Sequence, residues 1–208
     1  MNKTFSLLAA AALVPALLLT AFVGPSLVAS AQAQSTTDTA AADTTHLTLR
    51  VPNCEGCVVG VASYLYGTGD DAPVIWDDAK PQKVKDGAVA FDVPTASTPG
   101  LSITVRAPWE GGTGYVTNVA LRYKGEQPGD KIGLTKARAA ERASACWAGT
   151  TNDAATIRVV VRKVQVEGYG GKVPGTIAFA RVTQDWLRPL VDTWHGVVGT
   201  QDLMPCKA

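Results

Sequence analysis

The chain has 208 residues, with 19 lysines and arginines against 18 aspartates and glutamates, so its net charge is close to zero. That balance excludes the strongly basic surface with which proteins bind nucleic acid, and we expect no nucleic-acid partner. The length suits one domain of ordinary size, and a hydrophobic fraction of 46% is enough for a folded core.

The first 33 residues have the order of a secretory signal peptide. Lys3 precedes an apolar run at residues 5–23, and small residues then offer cleavage positions near Ala31 or Ala33. This order predicts a secreted, extracellular protein with a cleaved leader. The alternative is a leader that stays in place as an anchor, because the run is long. After cleavage no apolar stretch is long enough to span a bilayer, so we expect no membrane insertion.

The mature protein is expected to begin with a linker. Cleavage removes Lys3 from the 19 basic residues and leaves 18, equal to the 18 acidic residues. Residues 34–45 are Ala, Thr, Asp, Ser and Gln, which cannot form a core, so we expect them to be disordered. The folded domain is then expected at residues 46–208.

From residue 46 onward the pattern is mostly that of β-strands. Strand-like runs alternate apolar and polar residues or are rich in β-branched residues, and turn residues separate them. An Asp86-Gly87 pair between two of these runs is typical of a tight β-hairpin. The runs lie at residues 47–51, 57–66, 82–85, 88–93, 101–105, 115–123, 155–166 and 175–181.

Two segments have helical character instead. Residues 136–145 are rich in Ala, Arg, Lys and Glu, and Thr135 can cap them. Residues 189–195 begin with Pro189, which suits a first helical position, and Gly196 follows them. We expect both helices to pack on a sheet edge or to close one end of a sandwich.

These elements predict an all-β fold. About eight short strands with regular turns and one or two short helices are typical of an antiparallel β-sandwich, immunoglobulin-like in architecture. The paired-cysteine and tryptophan spacing of an antibody domain is absent, so the architecture carries no information about partners.

Four cysteines lie outside the leader, at positions 54, 57, 146 and 206. An even number in an exported protein indicates two disulfides, for which three connectivities are possible. We favour Cys54–Cys57, where Gly56 suits the tight turn, and Cys146–Cys206, which would pin the C-terminal tail.

The Cys54-Glu55-Gly56-Cys57 motif also has two functional interpretations. Thiol–disulfide exchange is disfavoured, because valines rather than good helix formers follow the motif. Residues 47–65 resemble the opening of a heavy-metal-associated domain, with a strand, the two cysteines and then apolar residues at helical spacing. That resemblance implies copper or zinc held by Cys54 and Cys57, with His46 as a possible third ligand, although the family's later elements do not follow.

The loop at residues 109–115 is the most site-like segment of the sequence. Trp109, Glu110, Gly112 and Tyr115 could hold a flat ligand such as a sugar ring, with Glu110 accepting hydroxyl hydrogen bonds. The alternative, which we favour, is a strand connection whose aromatic side chains cover the core.

The sequence contains no positive signature of an enzyme. His46 and His195 are the two histidines, and neither lies in a hydrolase or metalloprotease motif. We therefore expect a secreted, non-catalytic binding or structural protein without a cofactor, whose partner is a protein or carbohydrate at the cell exterior. The alternatives are an extracytoplasmic copper or zinc protein and a secreted hydrolase with an unrecognised triad.

Overall fold

A computed structural model of the chain describes residues 43–67, 72–111, 116–139, 143–168, 170–189 and 205–208. All of these residues belong to one compact unit. The strands in chain order are β1 (Thr44–Arg50), β2 (Val58–Tyr66), β3 (Val74–Trp76), β4 (Gln82–Lys83), β5 (Ala88–Pro94), β6 (Leu101–Arg106), β7 (Thr117–Asn118), β8 (Arg122–Tyr123), β9 (Ala143–Ser144), β10 (Ala154–Gly168), β11 (Gly171–Ala180), β12 (Arg188–Pro189) and β13 (Cys206–Lys207).

The first sheet has the strand order β11-β10-β1-β5. Its central strand β1 alternates strictly, because Leu47 and Leu49 are fully buried while His46 and Arg50 are exposed. The strand begins at Thr44, three residues before the run predicted at residues 47–51, since the buried Thr45 hydroxyl donates to the Asn152 carbonyl at 2.8 Å.

The second sheet has the order β12-β13-β2-β6-β7, and β3 and β4 also pair with β2. The pairing of β2 with β6 is the most extensive in this sheet and runs antiparallel from Val58 to Ser63. Most of the other strands are only two or three residues long. β4 covers part of the run predicted at residues 82–85, and the run predicted at 115–123 is divided between β7 in this sheet and β8, which pairs with β9.

The buried faces of both sheets contribute to one hydrophobic core. The first sheet supplies residues such as Leu49 and Val159, and the second supplies residues such as Val59 and Ile103. The all-β class predicted from the sequence is confirmed. The strands are not all antiparallel as predicted, because β1 runs parallel to β10 and β2 runs parallel to β13.

The Asp86-Gly87 turn forms where it was predicted. Both residues have positive φ, 52° and 70°, and the backbones of Lys85 and Ala88 exchange hydrogen bonds of 3.1 and 3.3 Å across the turn. The two arms then separate, since β4 pairs with β2 in the second sheet and β5 pairs with β1 in the first. The turn therefore carries the chain from one sheet to the other.

The helical predictions are wrong in part. Helix α1 covers Leu134–Ala139, whereas Ala143–Ser144 form strand β9. Ser144 is fully buried and its carbonyl accepts from Leu121 at 2.7 Å, so strand pairing overrides the helix propensity of this segment. Pro189 pairs with Cys206 as part of β12, and the rest of the second predicted helix lies outside the described residues.

A second, smaller apolar cluster lies on the outer face of β11. Ile177 and Phe179 point away from the main core, and residues from β8, β9 and α1 cover them. This cluster places α1 beside the outer face of β10 and β11, where the candidate site lies.

Candidate functional site

The loop that begins at Trp109 faces the fold interior in its described part. The indole Nε1 of Trp109 donates to the Gly175 carbonyl at 3.1 Å and to Thr176 Oγ1 at 3.2 Å. Glu110 is 3% exposed, and its Oε2 accepts from the Ala107 amide at 3.0 Å. Both side chains thus hold the loop and β11 in place. Gly112 and Tyr115 lie outside the described residues, so the sugar-binding hypothesis for this loop remains a prediction.

The four cysteines form the two pairs predicted from the sequence. The Cα atoms of Cys54 and Cys57 lie 5.5 Å apart, and those of Cys146 and Cys206 lie 5.9 Å apart. All four side chains are buried in apolar clusters, which fits a structural role.

The residues proposed as metal ligands do not converge. Cys54 is paired with Cys57, while His46 Nδ1 forms a hydrogen bond of 2.8 Å with Asp92 Oδ1. Across the described residues, no group of three or more His, Cys, Asp or Glu side chains is placed to hold a metal ion. The chain after Cys57 is strand β2 rather than the helix that the heavy-metal-associated resemblance implies.

The structure instead assembles a row of arginines on the outer face of the first sheet. Arg50 on β1 lies directly opposite Arg158 on the parallel strand β10. Arg181 follows β11, and its amide donates to the Arg158 carbonyl at 2.8 Å, so it lies on the other side of Arg158. Since neighbouring strands are about 4.8 Å apart, three exposed arginines occupy adjacent positions across the sheet.

This arginine row borders a groove made of two adjoining hollows. The larger, of about 310 Å³, is lined by Pro52, Asn53, Leu134, Arg158, Val160, Arg162, Phe179 and Arg181. The smaller, of about 240 Å³, is lined by Arg50, Pro52, Asp86, Gly87 and Arg158. Pro52 and Arg158 belong to both, so the hollows form one continuous surface, here called the arginine groove.

One wall of the arginine groove is fixed by Asn53. Strand β1 ends at Arg50, and the Asn53 side chain then continues the ladder on β10: its Nδ2 donates to the Val161 carbonyl, and its Oδ1 accepts from the Val161 amide at 3.5 Å. The side-chain amide thus replaces a backbone peptide at the edge of β10, which holds residues 52 and 53 against the groove.

The disulfide loop and the Asp86-Gly87 turn support this wall from behind. Gly87 accepts a hydrogen bond from the Val51 amide at 2.7 Å and donates one to Glu55 Oε2 at 3.3 Å. The Cys54–Cys57 bridge closes the segment that carries Glu55 directly after Asn53. The wall is therefore preorganised before any ligand binds.

The charges that line the groove are mainly positive, since four arginines and one carboxylate, that of Asp86, border it. Among the described residues, neither the Lys136–Glu126 ion pair nor the hydrogen-bonded pair His46–Asp92 involves any of its arginines. Arg181 Nη1 donates to the Ile132 carbonyl at 3.1 Å, which fixes its position without neutralising its charge. Like charges side by side on paired strands destabilise a sheet, and a carboxylate or phosphate that accepts paired guanidinium hydrogen bonds would relieve this repulsion.

Sequence reasoning missed the arginine groove for a physical reason. Arg50 and Arg158 are far apart in the chain and become neighbours only through the parallel β1–β10 pairing, and Arg181 joins them through the pairing of β11 with β10. The near-neutral total charge also conceals a local excess of positive charge. A weak signal did exist, because Arg158, Val160 and Arg162 alternate along one strand and could have been read as a basic outer face.

Comparisons with family models, with curated proteins and with solved structures find no match to this chain. No helix in the described part of the chain is long and apolar enough to cross a membrane.

Proposed function

We propose that this chain is an exported, non-catalytic β-sandwich domain, immunoglobulin-like in architecture, that binds a ligand bearing carboxylate or phosphate groups in the arginine groove. The observation that carries the proposal is the row of Arg50, Arg158 and Arg181, none of which forms an ion pair with an acidic side chain among the described residues. Export is supported by the leader pattern and by two buried disulfide pairs, which persist in oxidising compartments.

The binding step is tested by calorimetric titration of the secreted protein with citrate and with inorganic phosphate at low ionic strength. We expect measurable binding of at least one anion, weakened at least tenfold in Arg158→Gln and at higher salt. Arg106→Gln, an exposed arginine on the second sheet, is the matched control and should bind like the parent protein. The proposal fails if neither anion binds, or if both variants weaken binding equally.

The export step is tested by intact-mass analysis after alkylation without reduction. A product that begins near residue 32 or 34 and carries no alkyl label supports the proposal. Two labels on Cys54 and Cys57, together with bound copper or zinc, would favour the metal-binding alternative instead. Covalent labelling of a serine by a fluorophosphonate would favour the hydrolase.

A further inference from the structure

We infer that the larger hollow of the arginine groove takes a small carboxylate with an apolar body, such as a short fatty acid, rather than a compact inorganic anion. This inference rests on the proposed function and names the class of ligand for the same site. It follows from the floor of the hollow, its size and the position of its charges.

The floor of the larger hollow is apolar. Val160 on β10 pairs with Phe179 on β11, and both contribute to the outer face of the sheet. Leu134, at the start of α1, also lines the hollow and is 36% exposed, one of four large apolar side chains in the described part of the chain that face solvent. Phe179 itself is fully buried in the smaller cluster, so the apolar surface open to a ligand is that of the half-buried Val160 and the exposed Leu134. A phosphate ion would leave these two side chains in contact with water, whereas an aliphatic chain would cover them.

The positively charged arginine side chains belong to residues around this apolar floor. Arg158 and Arg162 flank Val160 along β10, and Arg181 lies beside Arg158. A carboxylate held by Arg158 and Arg181 would leave its apolar body lying across Val160 towards Leu134. The arrangement has the usual composition of a small-molecule site, in which an apolar surface gives affinity and a few polar groups fix orientation.

The size of the hollow limits the ligand. A volume of about 310 Å³ lies at the lower end of the range for small-molecule pockets. It admits a short aliphatic chain or a single ring with its acidic group, but only part of a polymer. A small amphipathic carboxylate is therefore the ligand class that matches both the apolar floor of the hollow and the arginines around it.

The test compares three ligands that separate charge from apolar surface: hexanoate, hexanamide and acetate. We expect hexanoate to bind at least tenfold more tightly than either hexanamide, which lacks the charge, or acetate, which lacks the chain. Hexanoate binding should also show a negative heat-capacity change, the signature of apolar burial. Leu134→Ser should weaken hexanoate binding severalfold, while Ile75→Ser, an exposed apolar residue on β3, should not.

The outcomes separate this inference from the proposed function. If acetate or phosphate binds as tightly as hexanoate, and Arg158→Gln still removes binding, the ligand class is wrong and the anion site stands. If hexanamide binds as tightly as hexanoate, the arginines play no part and both proposals fail. Both also fail if no anion binds to a protein whose circular-dichroism spectrum shows it to be folded.

Discussion

The hydroxyl of Tyr123 is buried in the smaller apolar cluster beneath α1 and has no hydrogen-bond partner among the described residues. Burial strongly raises the pKa of this phenol above its ordinary value near 10, because the phenolate would lose its hydration. The native state therefore keeps the proton at alkaline pH, while the unfolded chain releases it above about pH 10.

This difference predicts a loss of stability at high pH. Below about pH 10 the phenol is protonated in both the folded and the unfolded state, so Tyr123 adds no pH dependence to the stability. Above about pH 10 only the unfolded chain loses the proton, and the free energy of unfolding should fall by about 1.4 kcal/mol per pH unit from this group. Tyr123→Phe should match or exceed the parent stability at pH 7 and should reduce this slope. Urea titrations at pH 8 and pH 11 measure the effect, and the exposed Tyr66→Phe is the control. An unchanged slope in Tyr123→Phe would contradict the assignment.

Asn53, unlike Tyr123, has a polar side chain whose hydrogen bonds stabilise the fold locally. Because its amide pairs with both backbone groups of the buried Val161, Asn53→Ala leaves a donor and an acceptor unsatisfied. We expect a loss of about 1–3 kcal/mol in the free energy of unfolding. The exposed Asn152→Ala should change stability by less than about 0.5 kcal/mol. Equal urea midpoints for the two variants would show that the Asn53 pairing contributes nothing.

At the scale of elements, the Asp86-Gly87 turn depends on its glycine for two separate reasons. Gly87 has a φ of 70°, and a Cβ atom there would lie 3.1 Å from Pro52 Cα. Gly125 has a φ of 85° with open space around it. Gly125→Ala should therefore lower the free energy of unfolding by about 1–2 kcal/mol, because alanine is strained in the left-handed conformation. Gly87→Ala should lower it by at least about 1 kcal/mol more, because its Cβ atom would also crowd Pro52. Thermal unfolding of both variants measures the difference, and equal losses would exclude the clash.

The elements predictable from the sequence are those whose signal is local. The alternation in β1 and the β-branched run of β10 were recognised because each strand buries one face. The end of α1 could not be predicted, because Ala143 and Ser144 take strand conformation only through pairing with β8. The arginine groove could not be predicted either, since its row depends on a parallel pairing between strands more than 100 residues apart.

At the scale of the whole molecule, the two disulfides constrain very different lengths of chain. Cys146–Cys206 spans 60 residues and ties β13 to the smaller cluster, while Cys54–Cys57 spans 3. The chain-entropy model gives about 4 kcal/mol for the first and about 2 kcal/mol for the second. Replacing each pair by alanines should lower the free energy of unfolding in that order. Equal losses in urea titrations would show that loop length does not decide the effect.

The same two variants should separate stability from binding. Cys54→Ala/Cys57→Ala loosens the loop that supports Pro52 and Asn53, so it should weaken citrate binding severalfold even at temperatures where the variant is fully folded. Cys146→Ala/Cys206→Ala is the more destabilised protein, yet its bridge does not line the arginine groove. It should therefore bind citrate like the parent protein when folded. If affinity instead follows stability across the two variants, the wall of the groove is not preorganised by the short disulfide loop.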